Sequence, residues 1–170
     1  RTALLEWSEA RIMQYPLAVA ATWLTTVEQL SSDARELLNA LAFYSHEPIP
    51  ESLLDAEPGA GDDKTDWRAA LAELAQMSLV AIDDDAPEFT MHRLVQQVTR
   101  DRLSEAEKLA VLGVAMGLVS KAISGNNPQD VRDWPALDPL QPHALAACAT
   151  APDDAGDMAA SLTYVLNQFA

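Results

Sequence analysis

The sequence predicts a mainly α-helical chain interrupted by one small β-hairpin, and three features predict it. Apolar residues recur at helical spacing in SSDARELLNALAFYS (31–45), where Leu37, Leu38, Leu41 and Tyr44 share a face. The period then changes. SLVAIDDDAPEFTMH offers two strand candidates, 79–82 and 88–91, around the polar turn Asp83-Asp84-Asp85-Ala86-Pro87. Helical spacing resumes in FTMHRLVQQVTR, with Leu94, Val95 and Val98 on one face, and Ser104 with Glu107 forms a capping box for a long helix reaching about Ile123.

The remaining elements follow in order. Residues 2–13 read as a helix and Tyr15-Pro16 as a break, after which a second helix covers about 18–30. Asp33 and Glu36 are the expected capping pair of the 31–45 helix. EPIPESLL reads as a loop into a short helix with Pro50 in its first turn, and DAEPGAGDDKTD is a loop by composition. A helix then runs from Thr65 or Asp66 through Trp67, Leu71 and Leu74 to about Met77. Residues 124–142, with Pro128, Pro135, Pro139 and Pro142, read as a stiff irregular connector, and 143–150 and 156–170 as Ala- and Leu-rich helices. Trp23 and Trp67 suit core positions, while Trp134 is expected to anchor the connector against a helix.

Composition excludes several classes. The chain has 170 residues, 49% hydrophobic and 22% charged, which suits one or two compact domains rather than general disorder. Its 26 acidic residues against 11 basic ones leave a net charge of −15, so a polyanion is repelled unless the basic residues cluster, and along the sequence they do not. The lone Cys148 precludes an internal disulfide and fits a reducing, cytoplasmic setting. The longest apolar stretch, Leu109 to Val119, is shorter than the roughly 18–20 residues of a membrane span. The chain opens on Arg1 and closes on the apolar pattern SLTYVLNQFA, so it is expected to be a fragment of a longer protein.

Few residues carry recognisable chemistry. GAGDDKT (59–65) mimics a phosphate loop, but Asp63 stands where a glycine must precede the lysine, so a solvated loop is expected. The aspartates 83–85 lack the alternating ligands and central glycine of a calcium loop. His143 and Cys148 lie about 140° apart on a helix, too far around for a nucleophile pair. His46, beside Glu47 and Pro48, reads as a surface residue. His92 is different, because it stands where a strand passes directly into a helix. It either fills that junction or presents its imidazole to a ligand.

Three helices and a hairpin over about 24–91 is the order of a winged-helix domain, a fold that often binds DNA through its third helix. Here that helix offers Arg68 against Asp66 and Glu73, and the wing tip is three aspartates, so DNA binding is rejected as the main role.

Taken together, YPLAVAATW (15–23), SSDARELLNALAFYSHEPIPESLL (31–54), ALAELAQMSLV (70–80), FTMHRLVQQVTRDRL (89–103) and DVRDWPALDPLQPHA (130–144) resemble the bacterial STAND signalling ATPases of the NB-ARC type that carry tetratricopeptide repeats. The resemblance implies that 1–14 is the tail of a preceding helical domain and 15–103 the winged helix. It makes 104–142 a helical linker and Pro-rich connector, and 143–170 the start of the TPR-like repeats. It places the family's Met-His-Asp motif at Met91, His92 and Arg93, with His92 reaching the β-phosphate of ADP bound in an upstream core. Arg93 replaces the acid; contact with phosphate, with an acidic neighbour or with solvent stays open for it, and the acidic excess of the chain favours an intramolecular ion pair. The resemblance further implies no catalytic residue and no cofactor in the fragment, ADP or ATP in the whole protein, and the upstream nucleotide-binding domain and downstream repeats as intramolecular partners. An unknown protein ligand is expected, with neither nucleic acid nor membrane. Two alternatives stay open: a helical protein–protein interaction scaffold with no nucleotide role, and a DNA-binding winged-helix regulator.

Overall fold

The computed structural model describes residues 27–55, 65–151 and 159–168. Residues 27 and 28 are helical, and the next helix, α1, is Ser32–Leu41, whose Ala34, Leu37, Leu38 and Leu41 are buried. A short strand β1, Ile49–Pro50, leads into a 3-10 turn, Glu51–Leu54, and then α2, Trp67–Gln76. Strands β2, Ala81–Ile82, and β3, Glu88–Thr90, follow, and β3 runs into α3, Arg93–Asp101. The C-terminal half holds α4, Glu105–Ile123, a one-turn α5, Trp134–Leu137, α6, Gln141–Ala149, and α7, Ala159–Gln168.

The protein is therefore mainly helical, with a small antiparallel sheet of three strands in the order β1-β3-β2. Ile49 pairs with Phe89 from one side and Ile82 pairs with Phe89 from the other, which buries the Phe89 ring completely. α1 packs on α2, α3 and α4, and α4 in turn lies against the 51–54 turn, α6 and α7. One core results, with Leu38, Ile49, Leu53, Leu74 and Phe89 continuous with Leu112, Met116 and Leu140.

Local chemistry sets the element ends. Asp66 caps α2 by accepting from the Ala69 N–H at 3.0 Å, and Ser78, with φ of 56°, stops it in a left-handed turn. The expected capping box is present at α4, where the Glu107 carboxylate accepts from Ser104 N at 2.8 Å and the Ser104 hydroxyl accepts from Glu107 N at 3.4 Å.

Several expectations need correction. The cap of α1 is Ser31, not the Asp33–Glu36 pair: its hydroxyl accepts from Ala34 N, while Glu73 of α2 accepts from both Ser31 N and Ser31 Oγ, at 2.8 and 2.6 Å. The hairpin belongs to a three-stranded sheet, because Ile49–Pro50, read as loop, supplies an edge strand. Proline is tolerated there since an edge residue need not donate to the ladder. The connector's prolines start helices: Pro135, Pro139 and Pro142 occupy first-turn positions, where the missing N–H costs no helical bond. Trp134, expected to anchor the connector against a helix, is 48% exposed; its indole N–H donates to Pro128 O at 3.0 Å, within the connector itself. The buried face of α3 is Val95, Gln96 and Thr99 rather than Leu94, Val95 and Val98. The segments 2–13, Tyr15-Pro16, most of 18–30, Trp23 and 59–64 lie outside the described residues.

His143 joins the two halves. It is fully buried, its Nε2 donates to Pro48 O at 2.9 Å, and its ring meets Tyr44 edge-on at 5.8 Å. Its Nδ1 has no partner among the described residues, so the buried ring is held neutral. Burial lowers its pKa below the ordinary 6.5, partly offset by the Pro48 carbonyl and Glu47. The unfolded chain therefore binds more protons as pH falls through that value, and the stability contributed by the neutral ring is complete above it and declines below. Urea unfolding between pH 7.5 and 5.5 should show wild type losing stability more steeply than His143→Phe, by at most about 1.4 kcal/mol per pH unit for one proton. Parallel slopes would remove His143 as the titrating group.

Candidate functional site

The corner at which β3 meets α3 is built from consecutive residues with separate tasks. Met91 points into the core and is 3% exposed. His92 is the N-cap of α3, still extended at φ −63° and ψ 133°, and its carbonyl accepts from Val95 N and Gln96 N at 2.8 and 3.1 Å. Its side chain caps as well: Nδ1 accepts from the Leu94 N–H at 3.2 Å. A neutral imidazole with Nδ1 as acceptor carries its proton on Nε2, so the exposed part of the ring is a donor held by the helix start. Arg93 is exposed beside it and makes no ion pair among the described residues, contrary to the acidic neighbour expected for it.

Two concavities meet at this corner. One of about 710 Å³ extends along α3 past Gln97 and Arg100 to Pro142 and Ala146 of α6. The other, about 560 Å³, extends over the end of α2 and β2, past Ser78 and Ala81. His46, His92 and Arg93 line both. Among the described residues neither wall contains a carboxylate, although acidic residues outnumber basic ones by 26 to 11 in the chain. A wall of imidazoles and guanidiniums at the start of a helix favours an anion, since the helix end adds partial positive charge.

Other surfaces have their charges committed. Arg68, the arginine of α2, pairs with Glu51 and with Asp55, the latter at 2.6 Å, which holds its guanidinium above its usual range. In the β2–β3 turn, Asp83 Oδ1 accepts from Asp85 N and Ala86 N at 2.8 and 3.1 Å, so that carboxylate is consumed in shaping the turn. Among the described residues no group of His, Cys, Asp and Glu is placed to hold a metal ion. Burial pushes the half-buried Cys148 thiol up, away from a reactive thiolate. No helix of the described residues is long and apolar enough to cross a membrane.

Of the residues singled out from sequence, Met91, His92 and Arg93 form one corner; Met91 is buried in the core and borders the smaller cavity, while the exposed His92 and Arg93 line both. Two residues were missed. His46, read as plain surface, lies forty-six positions earlier in the chain and reaches the corner only through the packing of α1 on α3. Gln96 is polar yet 4% exposed, and it braces the loop that carries His46.

Residues 25–108 match the family model of a domain of unknown function (DUF7779), to which this chain is similar over that stretch. The matched stretch contains the sheet, α1 to α3 and the His92 corner, and ends in the first turn of α4. No curated protein and no solved structure matches the chain.

Because His92 is exposed and its cap bond is one of several at the start of α3, His92→Ala should remain folded and lose about 1 kcal/mol or less in urea unfolding. A loss above about 3 kcal/mol would class the residue with the core side chains instead.

Proposed function

We propose that this chain is a regulatory, non-catalytic segment of a STAND, NB-ARC-type signalling ATPase working in the cytoplasm. On this reading 1–14 is the tail of a preceding helical domain, 15–103 a winged helix that senses nucleotide, 104–142 a helical linker and Pro-rich connector, and 143–170 the start of a tetratricopeptide-repeat sensor array. The order helix, strand, turn, helix, hairpin with the third strand central fits a winged helix, with α2 as its third helix and the turn at 83–87 as its wing.

The observation that carries the proposal is the His92 ring. Its Nδ1 is engaged by Leu94, and its donor side opens on a corner to which the described residues bring no carboxylate. The residues present suit a phosphate group. His92 would donate to a phosphate oxygen of ADP held mainly by an upstream core, and Arg93 would add positive potential beside it. A hydrogen bond to a charged group contributes about 1.5–3 kcal/mol, or roughly one to two decades of affinity. Such a contact links nucleotide state to the position of this domain, because a ligand moves an equilibrium only by its differential affinity for the two states. DNA binding is disfavoured by the committed Arg68 and the acidic wing. A scaffold role with no nucleotide has one observation in its favour, the exposed Val131 and Trp134 of the connector, 64% and 48% accessible.

The test uses the chain extended upstream through its nucleotide-binding core. ADP copurifying with wild type should be near stoichiometric, and His92→Ala should lose most of it while staying folded. Equal ADP in both proteins would reduce His92 to a helix cap.

A further inference from the structure

His46 stands on the loop between α1 and β1, and that loop is tied down on both sides of it. Before it, the Gln96 amide of α3 donates to Tyr44 O at 3.2 Å and Ser45 O at 3.3 Å. After it, His143 of α6 donates to Pro48 O at 2.9 Å. Glu47 N donates to Ser45 Oγ at 3.2 Å, tightening the turn, and Glu47 itself lines neither cavity. The Tyr44 hydroxyl adds a buried anchor, donating to Ala115 O of α4 at 2.7 Å.

An exposed imidazole on an otherwise mobile loop loses freedom when it binds; one on a braced loop loses little. His46 belongs to the second case. It also shares both cavities with His92 and Arg93, although it comes from a different part of the chain. We propose that His46 is a second contact for the phosphate-bearing ligand, lining the same carboxylate-free corner as His92. This rests on the reading of His92 as the nucleotide sensor, and it assigns the α1–β1 loop, with its brace from α3 and α6, to the ligand site.

The experiment is calorimetric titration of ADP into the upstream-extended protein, stripped of nucleotide, as wild type, His92→Ala, His46→Ala and His46→Asn. His46→Ala should weaken ADP binding about tenfold, and His46→Asn, which keeps a short donor, should recover part of that. Melting temperatures should stay together, because the substituted side chain is exposed. Weakening by His92→Ala with no change in His46→Ala would overturn the second contact and leave the first standing. If His92→Ala itself binds ADP like wild type, both fall together.

Discussion

The amide of Gln96, on the buried face of α3, donates to the carbonyls of Leu41, Tyr44 and Ser45 at 3.5, 3.2 and 3.3 Å. These carbonyls lie at the end of α1 and just beyond it, where a helix leaves its last acceptors short of intrahelical partners; Leu41 O also takes the Tyr44 N–H at 3.2 Å, whereas Tyr44 O and Ser45 O are met by Gln96. No glycine turns the chain there, so α3 supplies the partners from its side: Arg100 donates to Ala42 O in the same manner. Buried carbonyls left without partners cost about 1–3 kcal/mol each, which fixes α3 against α1 more specifically than apolar packing alone. The relation between His92, at the head of α3, and His46, on the loop beyond α1, follows from that constraint.

What could be read from the sequence was what is local. The helical spacing of Leu37, Leu38 and Leu41, the helix through Trp67, Leu71 and Leu74, the Ser104–Glu107 box and the strand-to-helix joint at His92 are decided within a few residues, and each appears as expected. What escaped is what two distant segments decide together. Glu73 completes the start of α1 from another helix, a two-residue strand containing Pro50 is too short to show alternation, and Gln96 counts as surface until its carbonyl partners are known. The connector's prolines carry no local sign of whether they end one helix or begin the next. The same limit applies to the site. His92 was visible because its position is unusual in sequence, whereas His46 becomes interesting only once the loop is folded onto α3.

The charge distribution gives the corner its meaning. Most of the chain repels anions, and Arg68 is occupied by Glu51 and Asp55, while the walls around His92 hold donors and no acid. The brace of the loop also involves α6 through His143, so on the proposed reading the ligand corner and the entry to the repeats share one buried contact. A shift of α6 would then be felt at His46 through Pro48, a physical route by which a downstream signal and nucleotide occupancy could bias each other.

The most direct test is a crystal structure of the upstream-extended protein with ADP bound. His92 Nε2 should lie within hydrogen-bond distance, about 2.7–3.2 Å, of a phosphate oxygen, with Nδ1 still engaged by Leu94. Nucleotide bound in the core while the His92 ring faces solvent, with no phosphate in reach, would contradict it.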